Sequence, residues 1–189
     1  MKFCSHCGSS QLDFRMPEGD TLKRYVCATC ATIHYQNPKV VVGCLPVWED
    51  RVLLCKRAIE PRLGLWTLPA GFLENGETLL AGALRETDEE AGARVEIGAL
   101  YTLISLPHIS QVYVMFRARL LDLDFAPGPE SLEVRLFEEK DILWDQLAFR
   151  TIARTLRNYF LDRKRGEFPV HVSALEKRVV REPSLLAAG

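Results

Sequence analysis

Three glutamates, Glu86, Glu89 and Glu90, lie close together in the segment GFLENGETLLAGALRETDEEAGA, residues 71–93. At spacings of three and four residues their carboxylates share one helix face, where like charges repel each other. A divalent cation would offset this repulsion, because Mg²⁺ takes a few carboxylate oxygens and completes its shell with waters and substrate phosphate. The spacing therefore predicts a metal-binding helix. The alternative is a solvated acidic helix face, which would carry the same three acids.

Small and apolar residues recur in the same segment at spacings of three and four, as they do in an amphipathic helix. We expect this side of the helix to pack on a sheet and the acids to occupy the opposite, exposed side. Gly92 is well placed to end the helix, because glycine adopts the left-handed conformation at little cost. The residues expected to face the sheet are Leu80, Ala83, Leu84, Thr87 and Ala91.

Further residues accompany the acids at fixed distances. Gly71, Glu77 and Arg85 precede Glu89 and Glu90, and Gly92 follows them. The pattern of glycine, five residues, glutamate, seven residues, Arg-Glu, two residues, Glu-Glu, one residue and glycine resembles the Nudix box. The chain is therefore similar to the Nudix hydrolases, which hydrolyse nucleoside diphosphates linked to another group. A departure is a threonine at position 87, where the family usually carries an aliphatic residue.

The resemblance implies roles for individual residues. Glu77 and Arg85 would orient the acids of the box, and the family tends to supply one more acid from outside it. Glu130 is the first candidate for that acid and Glu133 the second. One acid of the site would take a proton from the attacking water. The residues expected to be catalytic and to bind Mg²⁺ or Mn²⁺ are Glu86, Glu89, Glu90 and Glu130.

Four of the six cysteines form two CxxC pairs near the amino terminus, with 19 residues between the pairs. This spacing predicts a four-thiolate zinc ribbon, because each pair turns two sulfurs toward one tetrahedral point. A disulfide pair or four unrelated buried cysteines is the alternative. Residues 1–36 hold few apolar side chains, so the zinc would be structural. The predicted zinc ligands are Cys4, Cys7, Cys27 and Cys30.

The composition bounds the class of protein. A chain of 189 residues with 48% hydrophobic and 26% charged side chains can bury one main core beside a small module. A net charge of −1 provides no broad basic field, so the composition does not favour nucleic-acid binding. The amino terminus lacks an apolar signal segment and the chain lacks a run long enough to span a membrane. We therefore expect a cytoplasmic protein in which Cys44 and Cys55 are buried thiols.

The elements that must position these residues follow the ribbon. KVVVGCLPVW and RVLLCKR, joined by a turn at Glu49 and Asp50, predict a hairpin. Further strands are expected near residues 95–106, 112–121 and 133–137, and one or two amphipathic helices near the carboxyl end. The resemblance implies an α+β fold, a Nudix α/β/α sandwich with a mixed sheet. The predicted domains are a zinc ribbon at 1–36, a Nudix domain at 37–180 and a flexible tail at 181–189.

The chain as a whole resembles the zinc-ribbon Nudix hydrolases, and this resemblance limits the expected substrates. These enzymes are NADH pyrophosphatases and related ADP-ribose/FAD pyrophosphatases. The former carry a signature of the form SQPWPFPxS after the box, where this chain reads ISLPHISQVYVMF. We therefore expect FAD, cleaved to FMN and AMP, or ADP-ribose, cleaved to AMP and ribose 5-phosphate. The alternatives are an NADH/NAD pyrophosphatase and a non-catalytic nucleotide sensor that binds nucleic acid.

Contacts to this small-molecule substrate are expected from three kinds of residue. Arg57 could contact phosphate, and Gln111, in the loop 105–111, could distinguish the distal halves of substrates. Aromatic rings could stack on an adenine or flavin ring. The family resemblance also implies a homodimer. The candidate aromatic residues are Trp66, Tyr35, Phe72 and Tyr101, with Trp66 as the first choice for the substrate site.

Overall fold

The computed structural model describes residues 1–177, which form two compact units. The first comprises Met1–Pro38 and the second begins at Lys39. The predicted flexible tail, residues 181–189, lies outside the described residues. Among the described helices, none is both long enough and apolar enough to cross a membrane.

The first unit is a small antiparallel sheet with cysteines in its turns. The Gly8 N–H donates to the Cys4 carbonyl at 3.0 Å, and the Ala31 N–H donates to the Cys27 carbonyl at 2.9 Å. Each CxxC pair is therefore folded into a tight turn that brings its two side chains together. The strands are β1 (Leu12–Arg15), β2 (Arg24–Cys27) and β3 (Ile33–His34).

The second unit is a mixed sheet with a helix on each face. Its described elements are β4 (Lys39–Trp48), β5 (Arg51–Arg57), β6 (Trp66–Thr67), β7 (Ala70–Phe72), α1 (Leu79–Ala91), β8 (Val95–Leu106), β9 (Gln111–Leu120), β10 (Ser131–Phe137), α2 (Arg150–Arg165) and β11 (His171–Ala174). The strand order is β10-β5-β4-β9-β8-β11, with β6 paired to β5 and β7 paired to β4. Strands β4 and β9 are parallel, as are β8 and β11. The predicted hairpin is confirmed, since β4 and β5 are antiparallel around the turn.

Two hydrophobic cores lie on opposite faces of this sheet. Val41 and Leu45 of β4 belong to the core that contains the apolar side of α2. Val42 and Cys44, which alternate with them along the strand, belong to the core that contains α1. A central strand buried on both faces explains the nearly continuous apolar run in its sequence. The predicted α/β/α sandwich is confirmed, and Cys44 and Cys55 are buried as expected.

Helix α1 begins and ends where its sequence indicates, but the predicted sheet-facing side is wrong at two positions. Thr78 caps the first turn by accepting from the Ala81 N–H, and Gly92 ends the helix at φ +57°. Leu80 and Leu84 are 48% and 43% exposed. The buried side consists instead of small residues flanked by two acids, so the helix lies close to the sheet. Its members are Gly82, Ala83, Glu86, Thr87, Glu90 and Ala91.

Up to residue 177, the carboxyl-terminal part of the second unit forms one α-helix after two short 3₁₀ turns, Glu139–Asp141 and Trp144–Gln146. Helix α2 is tied to β8 by polar contacts as well as by packing. The Tyr101 hydroxyl donates to Asp162 Oδ2 at 2.7 Å, and the Thr102 and Thr155 hydroxyls lie 3.0 Å apart. These buried pairs fix the rotation of α2 against the sheet.

Candidate active site

Glu86 and Glu90 lie on the inner edge of α1, not on its exposed face. Their exposed fractions are 9% and 7%, whereas Glu89 is exposed. The prediction that all three acids face solvent is therefore wrong for Glu86 and Glu90. Its physical cause is the rotation of the helix, which packs small side chains on the sheet and turns these two carboxylates toward β7. The Ala70 N–H donates to Glu90 Oε2 at 3.0 Å.

Gly71 of β7 lies directly against the Glu86 carboxyl group. A Cβ at this position would lie 2.3 to 2.4 Å from the carboxyl atoms of Glu86, closer than any real contact of that kind. Only glycine therefore allows this carboxylate to remain where it is. The glycine at the start of the predicted pattern therefore has a steric explanation here.

Replacing Gly71 by alanine is expected to weaken metal binding and turnover by at least about tenfold, as occurs when groups that position metal ligands are changed. The added methyl group would displace the Glu86 carboxylate, which is the free end of a flexible side chain, so the free energy of unfolding should change little. Titration with Mn²⁺ and denaturant unfolding measure the two quantities.

Gly98→Ala is the matched control, because Gly98 lies in β8, outside the contact between α1 and β7, and its Cβ would press on the Arg117 carbonyl of β9 at 2.9 Å. It should strain the fold without changing metal affinity. Wild-type Mn²⁺ affinity and turnover in Gly71→Ala would contradict the placement of Glu86 at the metal site.

Arg85 holds the acids of α1 in a network. Its guanidinium forms a bidentate pair with Glu77, at 2.7 and 3.0 Å, and its Nη1 donates to Glu86 Oε1 at 2.8 Å and to Glu89 Oε2 at 2.9 Å. Its Nη2 also donates to the Phe72 carbonyl at 3.1 Å. The hydrogen bonds from Arg85 hold the pKa of Glu77 below its ordinary value. Arg85 is thus placed to orient Glu86 and Glu89, the role that the box resemblance implies.

The burial of the inner carboxylates perturbs their protonation. Burial raises the pKa of Glu86, although Arg85 opposes the rise. Burial raises the pKa of Glu90 to about 8, against the hydrogen bond from the Ala70 N–H. Two buried carboxylates that are disfavoured as anions gain stability from a nearby cation, since it replaces their lost hydration. Hard oxygen donors of this kind fit Mg²⁺ or Mn²⁺.

The carboxylates are arranged more loosely than the cysteines of the first unit. Within residues 1–177, the four-cysteine group is the only set of three or more candidate ligands whose donor atoms all lie within 4.8 Å of one another. Arg85 holds one oxygen each of Glu86 and Glu89. The other oxygen of each carboxylate is left for a cation, so Arg85 and the cation can hold the same side chain together.

The structure brings Glu130, rather than Glu133, to the acids of α1. The negative charge of Glu130 contributes to the raised pKa of both Glu86 and Glu90. Glu133 instead lies 4.0 Å from Lys56 Nζ and is not among the main charges that act on those two residues. The geometry therefore favours Glu130 as the acid from outside the box, and that role stays a prediction.

A loop before β10 carries Glu130 to the site and packs on the end of α1. The Ala126 N–H donates to the Ala91 carbonyl at 3.0 Å, and the Gly128 N–H donates to the Glu90 carbonyl at 3.2 Å. A Cβ at Gly128 would lie only 1.7 Å from the Glu89 carbonyl oxygen. Sequence reasoning missed this contact. The only local signal was the turn sequence PGPE, residues 127–130.

Two of the predicted stacking residues belong to the core. Trp66 is 3% exposed and meets Phe137 edge-on, with 4.8 Å between ring centroids. Tyr101 is 1% exposed. Their rings are buried by apolar neighbours in the core on the α2 side, which leaves no room for a substrate base, so the stacking prediction for Trp66 and Tyr101 is wrong.

The other predicted contact residues are differently placed. Phe72 is 46% exposed and follows Gly71, while Tyr35 lies in the first unit. Burial raises the pKa of Glu90 and the Arg57 charge opposes the rise, which places the Arg57 guanidinium near the acids. Gln111 opens β9 and is partly buried opposite Lys39 of β4. Arg57 thus lies near the site, and the role of Gln111 stays a prediction.

The four cysteines of the first unit form a second candidate metal centre. The Cys4 and Cys30 sulfurs lie 3.7 Å apart, and the Cys7 and Cys27 sulfurs lie 3.6 Å apart. Sulfurs on a tetrahedron around zinc, at about 2.3 Å from the ion, are separated by about 3.8 Å. A hydrogen bond with Thr32 lowers the pKa of Cys30 to about 6, which favours its thiolate form. The donor set fits a structural zinc ion.

Comparison with protein families assigns both units. Residues 37–159 match the family model described as NUDIX domain. Residues 2–36 match the model described as Nudix N-terminal, a zinc ribbon. The two matches together account for the acids of α1 and for the four cysteines. They also divide the chain close to the boundary between the two compact units.

Individual relatives show how similar the chain is to characterised proteins. It is 28% identical over 169 residues to the NAD-capped RNA hydrolase NudC of Pseudomonas aeruginosa, which covers 87% of this chain and 57% of the relative. It is 28% identical over 121 residues to the ADP-ribose pyrophosphatase of Methanocaldococcus jannaschii, which covers 61% and 69%. The crystal structure of a NUDIX hydrolase from Nitrosomonas europaea has a TM-score of 0.90 and 63% identity, covering 94% of this chain and all of that one. The chain thus spans little more than half the length of the NudC relative.

Proposed function

The chain belongs to the Nudix hydrolase family, and we propose that it hydrolyses the pyrophosphate bond of a nucleoside diphosphate linked to another group. The observation that carries the proposal is the pair of buried carboxylates, Glu86 and Glu90, beside the Arg85 network. Burial of two neighbouring acids that share only the Arg85 contact to Glu86 costs stability, which a site for a divalent cation would explain.

The residues of the site have different roles in the proposed reaction. Glu86, Glu89, Glu90 and Glu130 would hold Mg²⁺ or Mn²⁺, which supplies charge neutralisation and an activated water when bound. Arg85 fixes the direction of Glu86 and Glu89, and Glu77 fixes Arg85. An acid of the set accepts the proton of the attacking water. Hydrolysis of a pyrophosphate depends mainly on such positioning and charge neutralisation.

We propose ADP-ribose or FAD as the substrate. The similarity to the Methanocaldococcus jannaschii protein, named an ADP-ribose pyrophosphatase, supports ADP-ribose. FAD rests on the sequence resemblance alone. The segment SLPHISQ, residues 105–111, stands where NADH pyrophosphatases carry their Trp- and Pro-rich signature. A second candidate is an NAD-containing substrate, favoured by the similarity to the NAD-capped RNA hydrolase NudC, and it would add RNA to the partners considered.

A panel of FAD, ADP-ribose, NADH and NAD⁺ tests this choice. We expect the highest kcat/KM for ADP-ribose or FAD. Gln111→Ala should change the ratio between these two substrates more than it changes metal affinity, because a hydrogen bond to the distal half discriminates strongly between substrates. Mn²⁺ affinity of the same variant is the control.

If kcat/KM for NADH exceeded both values by about tenfold, roughly 1.4 kcal/mol of transition-state preference, the substrate assignment would be wrong. The reaction type would be unaffected by that result.

A further inference from the structure

The amino end of α2 is an uncapped helix terminus close to the candidate active site. The residue before the helix is Phe149, and no side chain caps the first turn. The first N–H groups of an α-helix have no intrahelical acceptors, and the helix dipole makes this end positive. Such a terminus is suited to an anion, but a helix terminus alone does not identify a site.

Thr151, in the first turn of α2, supplies a second and independent observation. It is only 2% exposed, and its Oγ1 has no hydrogen-bond partner among the described residues. A buried hydroxyl without a partner costs free energy, so its presence calls for an explanation. Thr155, one turn later on the same helix, shows the ordinary arrangement, because its hydroxyl pairs with that of Thr102.

Two further donors, Tyr113 and Arg57, lie on the sheet near the start of α2. Tyr113 of β9 is 9% exposed, and burial raises the pKa of its phenol while the Arg57 charge and the Thr151 hydroxyl oppose the rise. The Arg57 guanidinium lies over the Phe149 ring, 5.2 Å from its centroid, and its Nε donates to the Pro61 carbonyl at 2.9 Å. One cationic group and two hydroxyls therefore gather at the positive end of α2.

This cluster borders the carboxylate site. Arg57 acts on Glu90 as well as on Tyr113. The backbone at Arg57 lies opposite Ser131, the residue that follows Glu130, and the Ala58 N–H donates to the Glu130 carbonyl at 2.8 Å. A substrate whose diphosphate reached the acids would thus have the donors of this cluster beside it.

We propose that Thr151, Tyr113, Arg57 and the first-turn N–H groups of α2 form an oxyanion pocket that binds a phosphoryl group of the substrate. Every member of the pocket is a hydrogen-bond donor or a positive charge, which matches a phosphoryl group and not a neutral ring. The identity of the molecule that carries this phosphoryl group rests on the proposed function. The pocket itself does not, because inorganic phosphate can occupy it without any hydrolysis.

The test is titration of the metal-free, full-length protein with inorganic phosphate, followed by calorimetry or ³¹P line broadening. Wild-type protein should bind phosphate at one site. Thr151→Val and Tyr113→Phe should each weaken binding by about tenfold, as loss of a hydrogen bond to a charged group does. Thr151→Ser, which retains the hydroxyl, should bind as wild type does.

Thr155→Val is the matched control, since it removes a hydroxyl from the same helix outside the pocket while the Tyr101–Asp162 hydrogen bond still holds α2 on the sheet. It should leave phosphate affinity unchanged. Thr151→Val should also unfold at equal or higher denaturant concentration than wild type in the absence of phosphate, because it removes an unpaired buried hydroxyl. If the role of Thr151 were only structural, Thr151→Val would instead unfold at a lower denaturant concentration than wild type.

Wild-type protein that does not bind phosphate, or a Thr151→Val variant that binds it as tightly as wild type, would overturn the pocket. Loss of binding in Thr155→Val equal to that in Thr151→Val would also overturn it. Should the protein bind phosphate at this site yet hydrolyse no nucleotide, the pocket would stand and the proposed function would fail. If the protein hydrolysed a nucleotide but did not bind phosphate, the proposed function would stand and the pocket would fail.

Discussion

Glu90→Gln is expected to remove more than about 99% of turnover, since even changes to groups that only support a metal ligand cost 10- to 100-fold. The metal-free variant is expected to be at least as stable as wild type. Glutamine keeps the shape of the side chain, and its amide oxygen can still accept from the Ala70 N–H. The substitution removes only the buried charge and the metal ligand.

The cost of burying the Glu90 charge should be visible in the pH dependence of stability. Burial raises the pKa of Glu90 from 4.5 to about 8 in the folded, metal-free protein. Between these values the folded state binds a proton that the unfolded state has lost, so the free energy of unfolding falls as pH rises from about 4.5 to about 8. Glu90→Gln should remove this decline. Urea unfolding at several pH values within this window measures the difference.

Asp88→Asn is the matched control, because Asp88 lies on the same helix, is exposed, and contributes only its backbone carbonyl to a described hydrogen bond, to the Gly92 N–H. Its turnover and its pH profile should equal those of wild type. Near wild-type turnover of Glu90→Gln at saturating Mg²⁺ would refute the assignment of Glu90 to the metal site. A large loss of stability in the metal-free variant would refute the account of its burial.

Cys27→Ser should release zinc and unfold the first unit. Within the described part of that unit, few side chains are buried apart from Cys4, Val26 and Cys27, so zinc coordination rather than a core must stabilise it. The second unit has two cores of its own and should remain folded. Zinc content by atomic absorption and limited proteolysis of residues 1–38 measure the two effects.

Cys44→Ala is the control for a thiol that does not bind metal. Cys44 is buried in the core beneath α1, where its Sγ lies 3.5 Å from the Ala83 carbonyl. Its removal should cost stability in the second unit and leave zinc at one equivalent. Retention of one equivalent of zinc by Cys27→Ser would contradict the four-thiolate site.

Local features of the fold could be predicted from the sequence. The limits of α1 follow from Thr78 and Gly92, and the β4–β5 hairpin follows from two apolar runs around a turn. The rotation of α1 about its axis could not be predicted, because leucines are more hydrophobic than glycine or alanine. A hydrophobicity pattern therefore places the leucines on the sheet. The structure packs Gly82 and Ala83 on the sheet instead, and this close approach is what buries Glu86 and Glu90.

Features that depend on distant segments were also out of reach. Trp66 occupies a short strand whose sequence does not reveal that Phe137 lies against it. Thr151 has no signal in its local sequence, since its unpaired hydroxyl is recognisable only once α2 is packed beside Tyr113 and Arg57. The position of Glu130 depends on a loop that closes on α1 through backbone contacts. Each case requires the packed structure, because sequence spacing encodes neighbours only within one element.

The central claim is that the acids of α1 hold a cation for pyrophosphate hydrolysis, and product analysis of ADP-ribose incubated with the full-length chain tests it most directly. The account predicts equal amounts of AMP and ribose 5-phosphate with Mg²⁺ or Mn²⁺, no products with a chelator, and almost none with Glu90→Gln. The account would be contradicted if ADP-ribose, FAD, NADH and NAD⁺ all remained uncleaved in the presence of either cation.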